Sequence, residues 1–251
     1  MDKTNLAKRI KAFQAESDYR LPTRGYTILQ LDGQAFHTWT KGFEKPFDAR
    51  FVNAMNETAI EVMKNVSNVR FAFVQSDEIN ILLTDFERGN TQAYFANRIQ
   101  KVVSTSAALA SASLTRAFPE KSLATFDARF FAVPTKEDVA DFFIWRQADA
   151  IKNSVRSVGH SHFSSRALHG KNTSDAKAML TELGDPWEGY SEDLRQGRLI
   201  QKVKERLTTT FEHKRTGESK TISYDGFTWK NGPAPLFREE AFLEDNIPVK
   251  P

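Results

Sequence analysis

Two short apolar runs, each halted by an aspartate, constrain this chain more than any other feature. Tyr26-Thr27-Ile28-Leu29-Gln30-Leu31 reads as a buried strand stopped by Asp32-Gly33. Residues 69–74 and 79–84 are two β-rich runs around Gln75-Ser76-Asp77-Glu78, the pattern of a hairpin. Residues 47–66 carry Phe51, Met55, Ala59, Val62, Met63 and Val66 at the spacing of one helical face. Residues 91–113 repeat that spacing with Phe95, Ile99, Val102, Val103 and Ala107, and residues 125–133 return as a strand. The order strand, helix, hairpin, helix, strand predicts an α+β fold. Its expected form is a ferredoxin-like or polymerase-palm-like antiparallel sheet covered by helices.

Pro134 ends that unit, so the sequence divides into a palm-like catalytic domain, 1–134, and a helical and hairpin region, 135–251. Thr135 followed three residues later by Asp138 predicts a helix start, and the helix should run past Trp145 and Arg146 toward Val155. A further helix is expected over 173–183, stopped by Gly184. Residues 197–211 and 220–224 should pair as a hairpin around Arg215-Thr216-Gly217-Glu218. The tail from Gly232 holds four of the nine prolines and is expected to be extended or loosely ordered.

The absence of cysteine excludes disulfides, iron–sulfur clusters and cysteine-bearing zinc sites. The first twenty residues are polar and helix-like without the apolar core of a signal peptide, and no run approaches a membrane span of about 18 apolar residues. A soluble, cytoplasmic protein without a membrane partner is expected. The 251 residues carry a net charge of only +3, unevenly spread. Between Ala150 and Ser174 there is no acidic residue, yet Lys152, Arg156, Arg166, Lys171 and three of the five histidines fall there. From Arg195 to Lys220 eight basic residues meet three acidic ones. A basic C-terminal half beside a carboxylate-bearing N-terminal half suggests a polyanion held over a metal site; a solvated surface is the plain alternative.

Asp32 and Asp77, each at the end of a strand, are the candidate catalytic residues. Two such carboxylates can share a pair of Mg²⁺ ions, because magnesium takes hard oxygens, keeps several waters and completes its shell with substrate phosphates. Gly33 lets the backbone approach a phosphate and offers its carbonyl as a further ligand. Asp-Gly is equally a simple turn, and Glu78 reads as a third acid or an exposed turn residue. Lys45 can reach phosphate oxygens as a point charge, and Ser76 can donate its hydroxyl. Asp127 and Arg129 share one face of their strand, where an ion pair is expected. Trp145 and Asp149 share a helical face, as do the like-charged Lys152 and Arg156, for which a shared phosphate partner is the natural reading. His160 and His162 lack a nearby third ligand for zinc.

Taken in order, LDGQAFHTW (31–39), KPFDAR (45–50), QSDE (75–78), FDARFF (126–131) and WRQADA (145–150) resemble the motifs of the tRNA-histidine guanylyltransferase family, from about Tyr19 to Ile200. The resemblance implies a palm that extends tRNA in the 3′→5′ direction. The tRNA 5′ end, adenylylated or carrying a triphosphate, is attacked by the 3′-hydroxyl of an incoming nucleotide. It implies Asp32, Asp77 and the Gly33 carbonyl as ligands of two Mg²⁺ ions. It also implies nucleotide contacts along Gly33, Gln34, Ala35, Phe36 and His37, joined by Lys45, Ser76, Asp77 and Asn153. GTP, ATP and other NTPs are the expected nucleotides and a homotetramer the expected assembly. The basic segments from Lys152 and Arg195 onward, with Lys152, Arg156, Arg198, Lys202 and Lys204, are expected to hold tRNA phosphates. Ile151 replaces a family histidine and Gln34 a family arginine. With the stretch 153–171, these departures resemble the guanylyltransferase-like branch of bacteria and archaea, associated with template-directed repair of 5′-truncated tRNA. A nucleotidyl or diguanylate cyclase on a similar palm, and a non-catalytic RNA-binding module, remain alternatives. The hairpin reads Gln-Ser-Asp-Glu instead of a Gly-Gly-Asp/Glu turn, which argues against the cyclase.

Overall fold

In the computed structural model, which describes residues 5–212, 217, 219–239 and 241–250, the strands form one antiparallel sheet. In chain order the elements are α1 (Asn5–Ala15), β1 (Tyr26–Gly33), α2 (Phe36–Trp39), α3 (Ala49–Asn65), β2 (Val69–Gln75), β3 (Glu78–Thr84), α4 (Ile99–Ala117) and β4 (Phe126–Val133). They continue as α5 (Lys136–His162), α6 (Ser165–Leu168), α7 (Thr173–Leu183), α8 (Glu192–Gln196), β5 (Arg198–Glu212), β6 (Ser219–Pro233) and α9 (Phe242–Asn246). The six strands lie in the order β4-β1-β3-β2-β5-β6. The α+β architecture is the one the element order predicts.

β1 and β3 sit inside the sheet with helices on both faces, which is why they read as nearly continuous apolar runs. On one face Leu29 and Leu31 pack against Met55, Ala59 and Val62 of α3 and Val102, Ala110 and Leu114 of α4. On the other, Ile28, Phe71, Phe73 and Leu82 meet Val139 and Phe143 of α5. Each fully buried aliphatic or aromatic side chain contributes about 1.5–3 kcal/mol, so both layers are firmly attached. The far half of α5 makes a third cluster with α7, in which Val158, Leu180 and Trp187 are buried. The strand period of two sets Gln30 and Asp32 on the Ile28 side, under α5.

Local chemistry explains where the elements differ from expectation. α3 starts two residues late because the Asp48 carboxylate accepts from the backbone N–H of Phe51 at 2.9 Å and of Glu44 at 3.0 Å. The helix expected from residue 91 begins only at Ile99: Phe95, Ala96 and Asn97 hold φ of 48°, 51° and 55°, which no right-handed helix admits. α5 runs on to His162, and Thr135 caps it by accepting from Asp138 N–H. α7 begins in a capping box between Asn172 and Asp175 and ends on Gly184 at φ 89°.

Two expectations fail. The tail is not loose: Phe237, Leu243 and Ile247 are 1–3% exposed, and Tyr26 Oη donates to the Pro248 carbonyl at 2.7 Å. Its apolar residues complete the core between α5 and the sheet, which outweighs the proline-rich composition. Asp127 and Arg129 form no ion pair among the described residues; the fields of both fall on Asp32, the register partner of Asp127. The apex of the last hairpin, apart from Gly217, lies outside the described residues. β5 pairs with β2 only over Arg198–Gln201, so beyond that point β5 and β6 project as a two-stranded ribbon. Among the described residues no helix is long and apolar enough to cross a membrane.

Candidate active site

β1 and the β2–β3 turn end side by side, and the Gly33 N–H donates to the Asp77 carbonyl at 3.2 Å. Asp32 and Asp77 therefore face one cavity of about 400 Å³, lined also by Gly33, Ala35, Phe36, His37 and Ser76. Burial, then the charges of Asp77, Glu78 and Asp127, push the Asp32 carboxyl up from 3.8 to about 6. Burial raises Asp77 as well, opposed by a hydrogen bond from Ser76. Two crowded, partly desolvated carboxylates are an electrostatic deficit that a cation relieves.

Two strained backbone positions border the same spot. Ala35 holds φ 57° at the start of α2, and Ser76 holds φ 46° in the hairpin turn, neither being glycine. Such conformations cost about 1–3 kcal/mol each and collect at functional sites. Gly33 is required for a different reason than close phosphate approach alone: a Cβ there would lie 2.5 Å from the Phe36 ring. Phe36 is 4% exposed and stacks on Trp39 at 5.1 Å, so this nucleotide-contact candidate also builds the cavity floor.

A second cavity of about 350 Å³ adjoins the first, sharing Thr40, Phe51 and Ser76. Lys45 and Asn153 line it, beside Phe43, Pro46 and Phe47. Ser157 on α5 donates to the Pro46 carbonyl at 2.8 Å and so ties the Lys45 loop to the helix that carries Asn153. Arg198, grouped by its charge with the tRNA-facing residues, is 5% exposed and lines this cavity too; its place at the root of β5 puts it inside the fold. A third cavity, of about 710 Å³, takes Lys152, Arg156, His169 and Lys171 and shares His160 with the second. Lys202 and Lys204 lie apart, exposed on the ribbon. Gln34 lines none of the three cavities: its N–H donates to the Thr125 carbonyl at 2.8 Å and its side chain accepts from Thr125 Oγ1 at 3.3 Å.

Glu78 is neither a third free acid nor an exposed turn residue. It is 6% exposed and bound by Arg146, whose Nε donates at 2.7 Å and whose Nη2 also bonds it. Asn80 at 2.6 Å, Gln30 at 3.2 Å and Gln75 at 3.3 Å complete its shell. Strand pairing opposite Asp32 carries Glu78 beneath α5, where Arg146 descends onto it. Trp145 supports that arginine from outside, with the guanidinium 4.5 Å from the indole centroid. Gln147 is buried and binds the tail through the Phe237 N–H and the Pro235 carbonyl. The WRQ stretch thus fixes the helix over the site. No local signal marks this pairing, because Arg146 is one of two arginines on a helix that also carries lysines and acidic residues.

The donor set fits magnesium. Among the described residues no cluster of three or more metal-binding side chains forms. Two carboxylates on one polar cavity suit an ion that retains water and takes substrate phosphates, and do not suit an all-protein cage.

A family model for the tRNA-histidine guanylyltransferase, Thg1, matches residues 7–134. A bacterial Thg1-like protein in complex with ATP is similar with a TM-score of 0.84 and 31% identity, covering 98% of this chain and 100% of that one. Another, in complex with GTP, gives a TM-score of 0.80 and 30% identity, covering 97% and 99%. The tRNA(His) guanylyltransferase of Debaryomyces hansenii is 30% identical over 213 residues, 76% of this chain and 78% of its own length. The chain spans 63% and 78% of the length of the first two curated relatives it matches. With the paired aspartates and the motif order already in place, the chain belongs to the tRNA-histidine guanylyltransferase (Thg1) family of nucleotidyltransferases.

Proposed function

We propose that this protein adds nucleotides to tRNA 5′ ends in the 3′→5′ direction, mainly as template-directed repair of 5′-truncated tRNA, with guanylate addition to tRNA-histidine as a second activity. The observation that carries this reading is the convergence of Asp32 and Asp77 on a polar cavity that opens into an aromatic-walled one. The polar cavity takes the triphosphate of GTP, ATP or another NTP, and the aromatic one the remainder of the nucleotide. Similar proteins in complex with ATP and with GTP support nucleotide binding by this chain.

Nucleotidyl transfer of this kind generally uses a divalent metal. The finer assignment is two Mg²⁺ ions on Asp32, Asp77 and the Gly33 carbonyl, which when bound activate the attacking oxygen and steady the leaving one. Lys45 reaches triphosphate oxygens from the wall of the adjoining cavity, Ser76, which lines both, donates to one, and Asn153 orients the nucleotide from α5. Bond formation joins the 3′-oxygen of the incoming nucleotide to the 5′ phosphorus of the tRNA as AMP or pyrophosphate departs. Residues 1–134 supply the carboxylates, and residues 135–251 close the nucleotide cavity and meet the tRNA.

Lys152 and Arg156 face a cavity lined by no acidic residue, as a phosphate backbone requires. On the ribbon, Lys202 lies 5.0 Å from the Phe227 ring centroid and 5.8 Å from that of Trp229, and Lys204 follows on the same face. Such basic and aromatic pairing suits RNA. For a homotetramer, α1 offers Leu6, Ile10 and Phe13 as an exposed apolar stripe for contact between copies. A cytoplasmic setting suits tRNA processing.

The decisive experiment incubates the protein with Mg²⁺, each NTP in turn, and two tRNAs: full-length tRNA-histidine and a tRNA lacking its first nucleotide. Filling of the gap by the complementary base is expected. Indifference to the template, or incorporation at the 3′ end, overturns the reading.

A further inference from the structure

Two exposed surfaces of this chain complement each other. The first is α1, on which Leu6, Ile10 and Phe13 recur at helical spacing and are 46–60% exposed, with no residue of the helix buried. Lone helices shorter than about 12–15 residues are marginal in water, so the eleven of α1 call for a surface to pack on. Lys8, Arg9 and Lys11 make the helix cationic, with no acidic residue along it. The second surface is the outer face of α5. Phe131 of the edge strand β4 meets Phe142 at 5.7 Å, and Phe142 meets Trp145 at 6.0 Å, so an aromatic strip climbs from the sheet edge onto the helix. Trp145 ends the strip at 59% exposure, whereas Trp39 and Trp187 are buried.

Charge narrows what covers Trp145. Asp141 and Asp149 lie one helical turn before and after it, and Asp138 shares the same face. Asp141 enters no ion pair among the described residues, and Arg146 holds Asp149 at 3.3 Å. An aromatic patch rimmed by carboxylates repels RNA and suits a basic element with an apolar face. The helix of this chain with that chemistry is α1, and its own α5 lies on the other side of the sheet. The Ile99 N–H donates to the Tyr19 carbonyl at 3.0 Å and Leu21 packs into the α3–α4 layer, so the segment after α1 is anchored there, while α5 covers the opposite face. We propose that α1 of one copy docks on the Trp145 face of α5 in a second copy. Leu6, Ile10 and Phe13 cover Trp145 and Phe142, and Arg9, which borders the stripe, meets Asp141. This inference rests on the contact between copies read above and adds the receiving surface. A two-fold axis makes the contact twice, which closes a dimer and doubles the area toward the roughly 1,200–2,000 Å² of a stable interface.

The chain contains no cysteine, so introduced cysteines report the contact cleanly. Full-length Ala12→Cys and Ala148→Cys proteins, the second substituted three residues from Trp145, are mixed and treated with a short bismaleimide. A cross-link joining the two different proteins is expected. Sedimentation equilibrium supplies the second readout, with folding checked by thermal melting. Leu6→Ser with Phe13→Ser should weaken self-association by about 10- to 100-fold, as the loss of anchoring side chains does. Arg9→Glu should weaken it too, and adding Asp141→Arg to the same chain should restore it. A parent that stays monomeric at every concentration defeats the reading of contact between copies and this inference with it. A parent that associates without the mixed cross-link, or whose association ignores both α1 variants, defeats the α1–α5 contact alone. If the Leu6→Ser, Phe13→Ser protein loses tRNA binding but still associates, or if phosphatidylserine vesicles capture the parent and not that variant, α1 serves RNA or a membrane and the inference is overturned.

Discussion

Replacing Asp32 with asparagine separates the electrostatic cost of the site from its chemistry. The folded protein raises this carboxyl from 3.8 to about 6, so between those values it keeps a proton that the unfolded chain has released. Stability from this group is therefore present at low pH and lost as pH rises through about 6. A rise of about two pH units, at about 1.4 kcal/mol each, sets a ceiling near 3 kcal/mol. Asp32 is only half-buried, and solvent screening reduces this to about 1–2 kcal/mol. Asp32→Asn keeps the shape of the side chain and removes its charge. In EDTA the variant should match the parent near pH 4 and exceed it above pH 6 by about 1–2 kcal/mol. For a chain of this size that corresponds to a melting temperature higher by about 2–8 °C. Turnover should vanish at every pH, and added Mg²⁺ should stabilise the parent but not the variant. Thermal unfolding from pH 4 to 8 provides the measurement. Parallel pH curves for the two proteins, or a variant less stable at pH 8, would refute the electrostatic reasoning.

Three further outcomes follow from the geometry. Glu78→Gln leaves the buried Arg146 with only the partly exposed Asp149, 3.3 Å away, as counter-charge and should cost up to about 3 kcal/mol by urea titration, with the double variant Glu78→Gln, Arg146→Met recovering part of the loss. Gly33→Ala drives a methyl group into the Phe36 ring and should cost about 1–3 kcal/mol; adding Phe36→Leu should restore stability, as read by melting temperature. Lys152→Ala with Arg156→Ala should weaken tRNA binding and lower the log–log salt slope by about 1.4–1.8 in filter-binding assays, whereas an unchanged slope removes these two residues from the phosphate contacts.

Some of the site was legible because its chemistry is local. An aspartate that ends an apolar strand and an aspartate inside a tight turn can be read from neighbours a few residues away, and both face one cavity. Glu78 was not legible: its environment is set by Arg146, 68 residues distant, and its position directly after the turn residue Asp77 gives no hint of burial. Arg198 illustrates the same limit. The basic residues that follow it on β5 face solvent, yet pairing with β2 draws the root of the strand into the sheet, and a single asparagine 142 residues away fixes the orientation of the guanidinium.

The sequence by itself determined the element order, a sheet covered by helices and the two aspartates as strand-end candidates, because periodicity and strand termination are properties of adjacent residues. The tertiary structure alone decided which charges are buried, which cavities adjoin, and that the proline-rich tail belongs to the core. Those outcomes depend on contacts between distant segments, where burial converts an ordinary side chain into a constrained donor or acceptor and no local pattern records the partner.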